Sequence, residues 1–163
     1  MNIRLYKMTK DLCRQYFSAF EYDPDVLTDT NTLSKFIYNT DWADRYWQKQ
    51  IDLNRVYLAI MLDNEPIGEV ILKRIDWTKK LCTLSIHMQN DSVKNRGYGT
   101  QAEILALMYA FNELGMETVL ADALHKNTRS QHVLKKVGFV ETGCDDAFQY
   151  YKCFKHNWKV PHY

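Results

Sequence analysis

Apolar and polar positions change their period several times along the chain, and each change marks a predicted boundary between elements. The pattern predicts a short strand over Ile3–Lys7. Thr9 then offers an N-cap for an amphipathic helix over residues 10–20, and helical spacing resumes over residues 31–53. Residues 20–29 lie between these helices and are rich in carboxylates and aromatic rings. The first third of the chain is therefore predicted to be a strand, a helix, an acidic loop and one or two further helices.

The middle of the chain switches to period two, which is typical of half-buried strands. Val56–Leu62 and residues 67–75 flank the turn-forming residues 63–66, so they predict a β-hairpin. A third strand is predicted over Leu81–Met88. Its apolar residues share one face and its polar residues share the other: Cys82, Leu84, Ile86 and Met88 against Thr83, Ser85 and His87. A line of polar side chains is therefore expected to lead toward the segment that follows this strand.

The last part of the chain alternates helices and strands. Residues 100–114 have helical spacing, and Thr118–Leu124 is an apolar run typical of a buried strand. Asn127 can cap a helix that ends at Gly138. Two final strands are predicted, at residues 139–142 and 148–155. These elements predict one α/β (α+β) domain over residues 1–163, with a mixed, mostly antiparallel sheet of six to seven strands and helices on both faces.

Composition narrows the class of protein. With 163 residues, 46% of them hydrophobic, the chain is long enough for one core and too short for two ordinary domains. A formal net charge of +1 argues against a dedicated nucleic-acid-binding protein. No basic segment followed by an apolar one opens the sequence, as a signal peptide would, and no apolar run is long enough to span a bilayer. We therefore expect a cytoplasmic protein without a membrane partner. The four cysteines form no C-x-x-C pair and are expected to be reduced, buried thiols without a bound metal: Cys13, Cys82, Cys144 and Cys153.

The most informative segment follows the third predicted strand and precedes a helix. It reads Lys94-Asn95-Arg96-Gly97-Tyr98-Gly99-Thr100. Its two glycines allow a tight turn that exposes backbone N–H groups, and the following helix adds the positive end of its dipole. Lys94 and Arg96 place positive charge beside those amides. The segment therefore predicts a phosphate-binding loop, although glycine in a strand-to-helix turn can also serve geometry alone.

The order of elements and two motifs resemble the GCN5-related N-acetyltransferase (GNAT) superfamily, and most closely its RimJ/RimL-like branch. Residues 94–99 are similar to the family's Q/R-x-x-G-x-G/A loop, with lysine at the first position. Asn127-Thr128-Arg129-Ser130, followed by Gly138-Phe139, resembles the family's N-x-x-S/A helix. The resemblance covers most of the chain. It implies an acetyltransferase that uses acetyl-CoA as its co-substrate and needs no metal.

The resemblance also implies which residues hold the coenzyme. Pyrophosphate is expected on the glycine loop, the thioester carbonyl at the end of the third strand, and the pantetheine and thiol beside the second motif. The expected coenzyme-binding residues are Ile86, His87, Met88, Lys94, Asn95, Arg96, Gly97, Tyr98, Gly99, Thr100, Asn127, Ser130 and Lys135. Many family members carry a tyrosine on the second helix that protonates the leaving thiolate. Leu134 occupies that position here, so the acid must come from elsewhere.

Three side chains are candidates for proton transfer. Histidine titrates near neutral pH, so His87 suits a base that deprotonates an amine. Glu69 lies on the neighbouring predicted strand, and Ser130 can bond the thiol or relay a proton. Each residue also has a structural alternative: a hydrogen-bonded strand histidine, a solvated hairpin glutamate and a serine that fills a tight helix turn.

These inferences predict transfer of acetyl from acetyl-CoA to a primary amine, by direct attack in a ternary complex. The acceptor is either a protein N-terminus or a small-molecule amine, which carboxylates in residues 20–29 are suited to attract. One alternative is a non-catalytic acyl-CoA-binding regulatory domain, favoured by Leu134. A second is a nucleotide-binding phosphotransferase, although the chain lacks G-x-x-x-x-G-K-S/T. An edge strand that pairs across a two-fold axis would give a homodimer.

Overall fold

The computed structural model describes residues 3–22 and 37–162, and its elements follow the predicted order. Seven strands occur in these residues: β1 (Ile3–Lys7), β2 (Val56–Leu62), β3 (Glu65–Asp76), β4 (Leu81–Met88), β5 (Thr118–Leu124), β6 (Val140–Cys144) and β7 (Phe148–Phe154). The α-helices of the same residues are α1 (Lys10–Ser18), α2 (Thr40–Asp52), α3 (Tyr98–Met108) and α4 (Thr128–Val137). Residues 23–29 of the predicted acidic loop, and 31–36 of the predicted second helical region, lie outside the described residues.

The strands form one sheet in the order β1-β2-β3-β4-β5-β7-β6. Neighbouring strands are antiparallel, except that β4 and β5 run parallel. A parallel pair needs a crossover connection, and α3 supplies it between β4 and β5. The predicted mixed, mostly antiparallel sheet is therefore confirmed.

Helices cover both faces of the sheet, as predicted. On one face, α3 and α4 pack against apolar side chains of the central strands, including Val70, Leu84 and Val119. On the other face, α1 and α2 enclose a second, aromatic-rich cluster that includes Tyr16 and Tyr57. None of the helices in residues 3–22 and 37–162 is both long and apolar enough to cross a membrane.

The ends of several elements follow backbone geometry that the apolar pattern does not specify. α3 begins at Tyr98 rather than at residue 100, because Gly97 adopts φ +79° and turns the chain directly into the helix. A π-helical turn over Tyr109–Glu113 follows α3, and Gly115 comes after it with φ +71°. β3 is longer than the predicted strand because both of its ends continue to pair with neighbouring strands.

The cysteines are free thiols, and three of them are buried. Burial raises the pKa of Cys82 to about 11 and that of Cys153 to about 12, so both stay protonated at neutral pH. The expectation of a buried thiol is wrong for Cys144. This residue lies on β6, an edge strand whose residues are all exposed.

Candidate active site

A gap opens in the middle of the sheet where β4 and β5 part. The two strands pair only over residues 81–83 of β4 and 118–120 of β5. Beyond these pairs, a cavity of about 110 Å³ is lined by residues 84–87 of β4 and residues 121–124 of β5. The facing edges carry backbone groups that are not used in pairing between these two strands. The gap therefore suits an extended ligand that can bond to them.

A second cavity, of about 380 Å³, shares part of its wall with the gap and extends to the start of two helices. α3 follows Gly97, and α4 follows Asn127, whose side-chain Oδ1 accepts the backbone N–H of Ser130 at 3.1 Å. The residues that line both cavities are Ile86, His87, Glu103, Asn127 and Ser130. We call the two cavities together the central cleft. Because the N-terminal ends of helices carry partial positive charge, this cleft suits an anion.

The glycine loop forms part of the cleft wall. Five of its residues line the cleft: Lys94, Asn95, Gly97, Gly99 and Thr100. A Cβ atom at Gly99 would meet no protein atom within 4 Å, so a larger side chain would project into open space. Arg96 and Tyr98 do not line the cleft, since Arg96 is exposed outside it and Tyr98 packs against the core. The loop residues that face the cleft fit a phosphate group that approaches the backbone closely.

One face of α4 forms another wall, and its residues are Arg129, Ser130, His132, Val133 and Lys136. Successive helical residues rotate by about 100°, so positions 132, 133 and 136 lie within about 60° of position 129 around the helix axis, whereas position 135 lies about 120° away. Lys135 was expected to contact the coenzyme, but it does not line the cleft, and its Nζ pairs with Glu141 Oε1 at 2.6 Å. Arg129 and His132 were not predicted, although their helical spacing with Lys136 was visible in the sequence.

His87 and Glu69 meet on the face of the sheet that α1 and α2 cover. The two residues are directly paired between β3 and β4, and His87 Nδ1 lies 3.1 Å from Glu69 Oε1. Glu69 is only 2% exposed, whereas the His87 side chain is 40% exposed and lines the cleft. The solvated alternative for Glu69 is therefore wrong, because α1 and α2 cover this face.

Two buried phenols complete the surroundings of Glu69. The hydroxyl of Tyr57 donates to Glu69 Oε2 at 2.6 Å, and that of Tyr46 donates to Oε1 at 3.1 Å. Burial, followed by the nearby charge of Glu69, raises the pKa of both tyrosines, so they remain protonated donors. With Nδ1 of His87 directed to the carboxylate, Nε2 is the ring nitrogen left for chemistry in the cleft. Sequence reasoning missed both tyrosines, which come from α2 and β2.

Glu103 is a second buried carboxyl in the cleft, and it lies on α3. It is 7% exposed, and its Oε2 forms no hydrogen bond within the described part of the chain. Burial raises the pKa of Glu103 to about 8. Sequence reasoning also missed this residue. The available signal was a glutamate in the same helical stripe as Ala106, Leu107 and Ala110, which are all buried.

The two tyrosines of β7 do not line the central cleft. Leu134 lines the gap at the position where many family members carry tyrosine. Tyr150 donates its hydroxyl to Asp145, and Tyr151 is buried in the core. Within residues 3–22 and 37–162, no tyrosine lines the central cleft.

The open sheet, the glycine loop and the polar cleft together define an acyltransferase. The family described as Acetyltransferase (GNAT) domain matches residues 2–140. The chain therefore belongs to the GNAT acetyltransferase family, and the resemblance found in the sequence motifs is confirmed.

Individual relatives are distant in sequence and similar in fold. The chain is 23% identical over 155 residues to a Bacillus subtilis (strain 168) protein named "Putative ribosomal N-acetyltransferase YdaF". The match covers 82% of this chain and 84% of that protein. A chimera of spermidine N-acetyltransferase SpeG from Vibrio cholerae and hSSAT matches with a TM-score of 0.78 and 15% identity, over 96% and 97% of the two chains. A dodecameric spermidine N-acetyltransferase from Vibrio cholerae matches with a TM-score of 0.72 and 16% identity, over 94% of each chain. The YdaF match agrees with the RimJ/RimL-like branch.

Proposed function

We propose that the central cleft transfers an acetyl group from acetyl-CoA to a primary amine by direct attack in a ternary complex. One observation carries this proposal: the starts of two helices line the same cleft as His87, which is hydrogen-bonded to Glu69. The helix starts suit the phosphates of the donor, and the pair suits deprotonation of the acceptor. The amine and the thioester would therefore meet between them.

The donor would lie along the loop, the gap and α4. Backbone amides at Gly97 and Gly99 would hold the pyrophosphate, with Lys94 beside them, and the gap would take the pantetheine arm. The N–H of Gln89 donates to Ile67 O on β3 at 2.8 Å. Because N–H groups alternate in direction along a strand, the N–H of Met88 is directed toward the gap, where it would stabilise the developing oxyanion. Bound acetyl-CoA supplies the activated acetyl group.

The acceptor side would provide the base. Alkyl amines are mostly protonated at neutral pH, so attack requires that a proton be removed first. Nε2 of His87 would accept that proton, and Glu69 would stabilise the imidazolium through Nδ1. The buried tyrosines hold Glu69 in place, which in turn orients the histidine ring.

A primary amine is the acceptor class that both sets of relatives favour. YdaF is named for ribosomal N-acetylation and SpeG for spermidine N-acetylation, and a protein N-terminus and spermidine each offer a primary amine. Phe20 and Glu21 line the cleft near His87 and Met88. A ring face and a carboxylate at this position would attract a cationic amine.

Thiol release from acetyl-CoA tests this proposal. We expect turnover with at least one primary amine in a panel of short peptides with free N-termini and of polyamines, and none with the dimethylated form of the same amine. Tight binding of acetyl-CoA without turnover of any amine would instead support a non-catalytic acyl-CoA-binding domain. Thermal stabilisation by ATP but not by acetyl-CoA would support a phosphotransferase.

A further inference from the structure

Glu103 places an unpaired carboxyl oxygen inside the cleft. The residue lines both cavities together with Asn127 and Ser130, and it lines the gap with Leu134. It is 7% exposed, and Oε2 makes no hydrogen bond in the parts of the chain that the structure describes. A buried polar group without a hydrogen-bond partner destabilises the folded protein, so the carboxyl of Glu103 at this position indicates a functional role.

The surroundings of Glu103 favour its neutral, protonated form. Titratable side chains face the cleft from other elements: His87 on β4, Asp122 on β5, Arg129, His132 and Lys136 on α4, and Lys94 and Glu21 on the flanking segments. Oε2 of Glu103 bonds to none of them. An isolated carboxylate in a buried site is far less stable than the neutral acid, and burial accordingly raises the pKa of Glu103 to about 8. At neutral pH the side chain therefore carries a proton that it can donate.

We propose that Glu103 is the general acid that protonates the thiolate of coenzyme A as it leaves, an inference that rests on the proposed acetyl transfer. As the carbon–sulfur bond of the thioester breaks, its electron pair passes to sulfur, and the proton of the Glu103 carboxyl bonds to that sulfur. The ammonium first loses one proton through Nε2 of His87 to water. The neutral nitrogen then forms the new bond to the acetyl carbon, and its second proton passes to Nε2 of His87. Water that enters the cleft afterwards takes the proton from His87 and returns one to Glu103.

This assignment accounts for two features of the site together. Leu134 occupies the position at which many family members carry the tyrosine that protonates the thiolate. Within the described residues, no tyrosine lines the cleft. A thiol has an ordinary pKa of about 8.5, and proton transfer is efficient when the pKa of the acid lies close to it. Glu103 meets that requirement from α3, on the same face of the sheet as α4.

The first test uses Glu103→Gln, which keeps the shape of the side chain but has no proton to transfer. We expect acetyl-CoA affinity to change by less than about threefold and kcat to fall by about 10²-fold. The loss should shrink toward none with an acetyl thioester whose thiol carries electron-withdrawing fluorines, because such a thiolate leaves without an acid. Glu113→Gln, an exposed change in the π-helical turn after α3, is the matched control and should leave kcat unchanged.

A second readout needs no turnover. Infrared difference spectra of wild type minus Glu103→Gln, recorded without acetyl-CoA near neutral pH, should show the carbonyl band of a protonated carboxyl. The same band in wild type should disappear as the pH is raised past about 8. A carboxylate at neutral pH, a loss of affinity in place of kcat, or an equal loss with every thioester would overturn the general-acid role while acetyl transfer stands. A wild-type protein that acetylates no amine would overturn the proposed function, and the general-acid role with it.

Discussion

Two buried glutamates flank the central cleft from opposite faces of the sheet, and their surroundings differ. Glu69 on β3 is 2% exposed and is hydrogen-bonded to Tyr46, Tyr57 and His87. Glu103 on α3 is 7% exposed, and its Oε2 has no partner within the described residues. Two carboxyl groups that are both buried therefore differ in their hydrogen-bond partners. One has the donors that stabilise a charge, and the other is most stable as a neutral acid.

The largest effect is expected from removal of the base that Glu69 orients. His87→Ala should lower kcat by about 10³-fold, because no other side chain would take the proton of the amine. Acetyl-CoA affinity should stay nearly constant, and a steady-state assay with a separate binding measurement would show both. His156→Ala, an exposed histidine beyond β7, is the control. Unchanged turnover at every pH would remove His87 from the mechanism.

The unpaired state of Glu103 should appear in the pH dependence of stability. Its pKa is raised in the folded state to about 8, so the folded protein holds this proton more tightly than the unfolded chain does. The protonated Glu103 side chain therefore contributes to the free energy of unfolding of the wild type at low pH, and this contribution is lost as pH rises toward about 8. The free energy of unfolding of Glu103→Gln, relative to wild type, should increase by about 4 kcal/mol between about pH 5 and about pH 9.

Urea titrations at both pH values measure this difference, with Glu113→Gln as the exposed control. The prediction for Glu103 fails if the two proteins differ by a constant amount at both pH values. Such a result would mean that Glu103 carries the same charge in the folded and unfolded states.

The comparison of the two glutamates also assumes that acetyl-CoA binds on the side of the cleft that Glu103 lines. Gly99→Val should place a side chain into the open space of the cleft and weaken acetyl-CoA binding by about 30-fold, a loss of about 2 kcal/mol. This position is a cleaner test than Gly97, whose φ of +79° would strain any substituted residue. Calorimetric titration would give the affinity. Gly143→Val, which also meets open space but lies on β6, should bind normally, and undiminished affinity of Gly99→Val would place the coenzyme elsewhere.

The smallest effect is expected when one of the hydrogen-bond donors to Glu69 is removed, so that the surroundings of Glu69 become more like those of Glu103. Tyr57→Phe removes the hydroxyl that lies 2.6 Å from Glu69 Oε2 and should lower the free energy of unfolding by about 1 kcal/mol. The two remaining hydrogen bonds, from Tyr46 and His87 to Oε1, should keep the carboxyl in place, so turnover should fall less than in His87→Ala. Tyr6→Phe, on an exposed tyrosine of β1, is the control. If both tyrosine variants unfold at the same urea concentration, the bond to Glu69 contributes nothing measurable.

Local patterns account for the parts of the site that the sequence predicted. The bounds of β4 and β5 follow from alternation and from an apolar run, and Asn127 begins α4 as a cap residue should. The glycine loop was found in the same way, from residues that are adjacent in the chain. These features need no knowledge of which elements pack together.

Tertiary contacts account for what the sequence left out. Glu69 has partners from α2 and β2, and no spacing rule links those residues before the sheet is formed. Glu103 shows its role only when the gap between β4 and β5 is present beside it. Lys135 was expected to contact the coenzyme, whereas the rotation of α4 directs Lys136 to the cleft.

The most direct test of the central claim is a single turnover with the protein in excess of acetyl-CoA, followed by rapid quenching. An accepted primary amine would be mixed with the binary complex, and mass spectrometry would follow both the intact protein and the amine. We predict that the acetylated amine appears at the same rate as the free thiol, that the protein never carries an acetyl group, and that His87→Ala slows both products together. Acetyl bound covalently to the protein before the amine is added, or thiol release without an acetylated amine, would contradict direct transfer in this cleft.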